Sequence, residues 1–144
     1  MCPVYINRIA SIHAESRNEK PYFSAQEPDY KEMITNANLR RRMSRMIKMG
    51  VACGLECLKD IPSEKVDAII TATGLGCLAD TEKFMNALMD NREQMLNPTA
   101  FIQSTFNTVG AQLALLLKIH AYNVTYVHLS LIHISEPTRL DVIS

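Results

Sequence analysis

Four cysteines, four histidines and a pair of closely spaced glycines are the residues in this chain whose types could do chemistry. Cys53 and Cys57 stand four positions apart, which puts both thiols on one helical face, where they could hold a thiophilic metal. His13, His120, His128 and His133 are scattered, so no second ligand pair lies at zinc-site spacing, and the two thiols read as packed core residues. No metal and no cofactor is expected. Gly74-Leu75-Gly76 follows an apolar run, the place where a phosphate loop would sit. Ala79 occupies the third glycine position and no Gly-Lys-Ser/Thr follows, so the segment reads as a tight strand-to-helix turn. Ser104, Thr105, His120 and His128 are hydrolase residue types without a Gly-x-Ser-x-Gly elbow to organise them.

Arg40, Arg41, Arg42, Arg45 and Lys48 make a basic patch that could bind RNA or phosphate. Fifteen Lys and Arg balance fifteen Asp and Glu, however, and the zero net charge argues against a dedicated nucleic-acid or anionic-membrane binder. The patch therefore reads as a solvated helix face or as salt bridges to an acidic neighbour. The eight methionines are explained by ordinary core filling.

The elements that would position these residues alternate between strand and helix. Val4 to Ile12 is β-rich and predicts a first strand. Glu15 to Tyr30, with Pro21 and Pro28, predicts a loop. Leu39, Met43, Met46, Ile47, Val51, Leu55 and Leu58 recur at three- and four-residue steps and predict one long helix, capped by Asn36 or Asn38. Gly50 and Gly54 on it suggest a close neighbour. Val66 to Thr73 predicts a strand buried on both faces. A helix capped by Asp80 or Thr81 follows, then a turn at Asn97-Pro98, a helix from Asn107 through Leu117, and a strand over Tyr122 to His128. This order predicts an α/β domain whose mostly parallel sheet is covered on both faces.

With 144 residues there is room for one domain, and 47% hydrophobic against 21% charged residues excludes disorder along the whole chain. The N-terminus lacks a basic run followed by an apolar region, and Leu113 to Leu117 is too short to cross a bilayer. A cytoplasmic protein with reduced thiols and no membrane partner is the expectation.

In series, several segments carry a family likeness: Arg41-Arg42-Met43-Ser44-Arg45, then Thr71-Ala72-Thr73-Gly74-Leu75-Gly76. The most telling is Asn97-Pro98 followed by Phe101-Ile102-Gln103-Ser104-Thr105-Phe106-Asn107-Thr108-Val109-Gly110-Ala111. Together they resemble the N-terminal domain of the β-ketoacyl synthase-like family, over Val4 to His128. The resemblance implies an incomplete, N-terminal half of a thiolase-like fold. It also implies acyltransferase chemistry of the fatty-acid, aryl-polyene or polyketide type, without a cofactor. A cysteine thiolate would accept an acyl group from a carrier thioester, and a malonyl-derived carbanion would attack it. Implied partners are an acyl carrier protein and a second ketosynthase-like subunit, in a homodimer or heterodimer. Phe101, Gln103, Ser104, Thr105 and Phe106 would face the acyl pocket or the dimer interface.

Two departures bear on activity. Lys118, Ala121 and Tyr122 stand where the family usually has a Gly-x-x-Gly-Pro-like turn, and the family's nucleophile spacing falls on Ser130. Residues 129–144, LSLIHISEPTRLDVIS, resemble the translation of a transposon-type sequencing adapter. On that likeness the domain ends at His128, the tail is artefactual, and the chain as written lacks its nucleophile and catalyses nothing. The alternative is a fragment of a non-catalytic partner resembling a chain-length factor.

Overall fold

The computed structural model describes residues 3, 5–13 and 25–128. The chain divides into two compact units, Met1–Lys65 and Val66–Ser144.

In the first unit, Asn36 begins α2 (Ala37–Arg42) after the short α1 (Tyr30–Met33): its side-chain oxygen accepts the N–H groups of Asn38 at 3.1 Å and Leu39 at 3.2 Å. The long helix expected from the apolar stripe is two helices, because Met43 and Ser44 are extended and α3 (Arg45–Leu58) starts afresh. Serine favours helix starts over helix interiors, and here it stands at the N-cap. The stripe nevertheless keeps its purpose: Met43, Ile47, Val51 and Ala52 are buried, and with Ile34 they form this unit's core.

No strand forms over the described part of Val4 to Ile12. Tyr5, Ile6 and Ile9 are exposed, and a β-rich stretch becomes a strand only where a ladder partner meets it. Arg8 fastens this segment instead, donating to the Glu56 carbonyl at 3.1 Å and to Asp60 at 2.6 Å. The expected loop from Glu15 to Tyr30 holds an isolated β-bridge at Ala25, is irregular over 26–29 and gives way to α1 at Tyr30, while its residues 15–24 lie outside the described residues.

The second unit is β1 (Ala68–Thr73), α4 (Leu78–Asp90), α5 (Pro98–Ser104), α6 (Thr108–Leu117) and β2 (Tyr122–Val127). The strands pair in parallel, with Ala68 opposite Tyr122 and Thr73 opposite Val127. The class is α/β, with helices flanking a parallel sheet, as in a partial thiolase-like fold.

β1 is not buried on both faces. Ile69 is 8% exposed and its neighbour Ile70 is 67% exposed, the alternation of a half-covered strand. α6 lies against both strands, and Gly110 permits the approach: a Cβ there would sit 2.9 Å from the side-chain oxygens of Asn123 and Thr71. The register places Ile70 beside Val124, and Ala72 beside Tyr126, on the opposite face.

α4 starts three residues before the expected caps, with Cys77 at the N-cap and Asp80 in the first turn. There the carboxylate meets the positive end of the helix dipole. Asn97-Pro98 is a helix start rather than only a turn. Asn97 accepts the Thr99 N–H at 2.9 Å, and Pro98, with no N–H to leave unpaired, opens α5. α5 and α6 meet at 108°. Among the described residues no single helix is long and apolar enough to cross a membrane.

Candidate functional site at the strand ends

Parallel α/β sheets bind ligands beyond the carboxyl ends of their strands. Here those ends are joined: the His128 N–H donates to the Thr73 carbonyl at 3.0 Å. The turn after β1 is set by Gly76, whose φ of 61° is a left-handed conformation open to glycine at little cost. Its N–H donates to the Thr73 hydroxyl at 2.9 Å. A Cβ at Gly76 would lie 2.5 Å from Cδ1 of Phe106, so the ring occupies the space that a side chain would fill.

Phe106 is delivered by the elbow between α5 and α6, and a hydroxyl cluster shapes that elbow. Thr108, 2% exposed, bonds the Ile102 carbonyl and shares a 2.8 Å hydrogen bond with the Thr105 hydroxyl. Thr105 also donates to the Ile102 carbonyl at 2.8 Å, and Ser104 donates to the Phe101 carbonyl at 2.7 Å. These hydroxyls therefore satisfy carbonyls that the end of α5 leaves without helical partners. Thr81 of α4 donates to the Ser104 carbonyl at 3.2 Å and ties the two helices.

The five residues singled out from sequence thus separate. Phe106 lies over the turn at the strand ends, and Ser104 and Thr105 build the elbow. Gln103 is half-buried on α5. Phe101 turns to α4, where its ring stands 5.6 Å from that of Phe84 at 58°. Both phenylalanines keep about half their surface exposed (55% and 49%), so each still has a face to offer a ligand or a partner. Sequence reasoning missed Thr108, the seat of Phe106 on Gly76, and the role of Gly110. A glycine inside a helix was the available signal for the last, whereas nothing marked Thr108 as buried.

The cysteines lie apart from this chemistry. Cys77 is buried, and burial, aided by Asp80, pushes its thiol up and keeps it protonated. Cys53 and Cys57 are half-buried on α3, and burial, then Cys57, pushes the Cys53 thiol up as well. Cys53 lines a cleft of 420 Å³ with Ile12, Gln26, Met33 and Glu56. Among the described residues no three His, Cys, Asp or Glu side chains gather as a metal site.

The basic patch is partly consumed by its own unit. Arg45 pairs with Glu27 at 2.5 Å, Arg40 donates to the Ile34 carbonyl and Arg41 to the Asn38 side chain. Tyr30 donates to the other Glu27 oxygen at 2.7 Å. That bond, followed by Arg45, holds the Glu27 carboxyl below its usual range. Burial, followed by Glu27, pushes the Tyr30 phenol up. Ser130, where the sequence spacing leads one to expect the family's nucleophile, lies outside the described residues.

Comparison with known proteins gives this geometry a family. The model of the β-ketoacyl synthase N-terminal domain matches residues 14–126. Among curated proteins nothing matches significantly. Among solved structures the chain is similar to a ketosynthase (ApeO) in complex with its chain length factor (ApeC) from Xenorhabdus doucetiae. The TM-score is 0.58 at 20% identity, over 84% of this chain and 46% of that one. The chain thus spans less than half the length of that structure, and the likeness extends to the fold. Because the family model spans well over half of the chain, from residue 14 to residue 126, this chain belongs to the β-ketoacyl synthase N-terminal domain family.

Proposed function

We propose that the chain is the N-terminal part of a protein that condenses acyl thioesters, and that as written it is catalytically inactive. The observation that carries the first half is the convergence of Phe106, Gly76 and the ends of two parallel strands, within a segment that the family model matches. In this reading β2 leads to the nucleophile position, Phe106 borders the acyl chain, and Phe101 with Gln103 contributes to the pocket or to a subunit contact. Partners are an acyl carrier protein and a second ketosynthase-like subunit.

Inactivity is supported by the residues themselves. Position 130 is serine, and the described cysteines are either buried near α4 or on α3. A condensing enzyme needs a thiolate, and burial holds the Cys53 and Cys77 thiols in the protonated form. Residues 129–144 are read as an artefactual tail, consistent with a family match that stops at residue 126. The test is incubation with an acyl thioester and malonyl thioester, followed by intact-mass and product analysis. Neither an acylated chain nor a condensed product is expected; either one overturns the inactivity. The same assay on the protein encoded by the complete gene should give both.

A second reading, a fragment of a chain-length-factor-like partner, is favoured by the similarity to a structure that contains such a complex. A residue other than cysteine at codon 130 of the complete gene would select it.

A further inference from the structure

We draw no further inference here: the strongest candidate, the uncovered apolar face of the β1–β2 sheet that carries Ile70, Tyr122 and Tyr126, carries nothing because nothing in the structure shows what covers it.

Discussion

The two units bury their apolar residues differently. In Met1–Lys65 the stripe of α3 packs into a core, with Met46 left 55% exposed: Ile34, Ile47 and Val51 are fully buried, and the Arg45–Glu27 and Arg8–Asp60 pairs lie outside that core. Val66–Ser144 leaves much of its apolar surface open, including Ile70, Leu78, Met89, Phe101, Leu115 and Tyr122. The covered face of its sheet mixes buried Ile69 with polar residues. Thr71 and Asn123 lie under α6 beside Gly110, while Ile70, Tyr122 and Tyr126 face away from cover. A parallel sheet ordinarily has both faces covered by apolar packing, and one face of the second unit's sheet lacks that cover.

That contrast is broken most directly by alanine substitution at neighbouring positions. Ile47→Ala and Ile69→Ala should each cost about 2–5 kcal/mol in chemical unfolding, because each empties a packed site. Ile70→Ala, one residue away on the open face, should cost under about 1 kcal/mol. Equal losses at Ile69 and Ile70 would mean that the open face is covered in solution.

Next in size is Gly76→Ala, expected to cost about 1–3 kcal/mol through its positive φ and the displaced Phe106 ring. The same substitution in a Phe106→Ala background should cost less, since only the backbone strain remains. An unchanged cost in the double variant would remove the ring from the turn. Thr108→Val should cost about 1–3 kcal/mol by depriving the Ile102 carbonyl and Thr105 of a buried partner. A neutral outcome would show that the elbow does not depend on the hydroxyl cluster.

The smallest effect sharpens the first unit. The Glu27 carboxyl is held below its usual range by Tyr30 and Arg45. Its contribution is therefore complete above the unfolded carboxylate value of about 4.3 and is lost as the pH falls through the folded value. Glu27→Gln should flatten the acid limb of the stability profile and leave the slope near neutrality unchanged, as read from unfolding midpoints across the acid range.

Much of this fold was legible because its signals are local. The β-branched run before Gly74 gave β1, the alternation from Tyr122 gave β2, and the apolar stripe gave the residues that α3 buries. What failed depended on neighbours. Val4 to Ile12 has strand propensity without a strand beside its described part, and nothing in the residues alone shows that one face of β1 stays open. α5 was within reach, since Asn followed by Pro is a helix-start signal as well as a turn signal. At the site, the family likeness singles out Phe106 as a pocket or interface candidate, but its seat on Gly76 is a tertiary contact between residues thirty positions apart. Ser104 and Thr105 looked available for chemistry, and the structure engages both with helix-end carbonyls.

The most direct measurement is the genomic sequence of the source across codons 120–150, read from unamplified DNA. The expected result is a frame that departs from this one after His128, has a cysteine codon at position 130 and continues for at least as many residues again. A genome that encodes Leu129 to Ser144 as given, followed by a stop, would contradict the reading of this chain as part of a larger condensing enzyme.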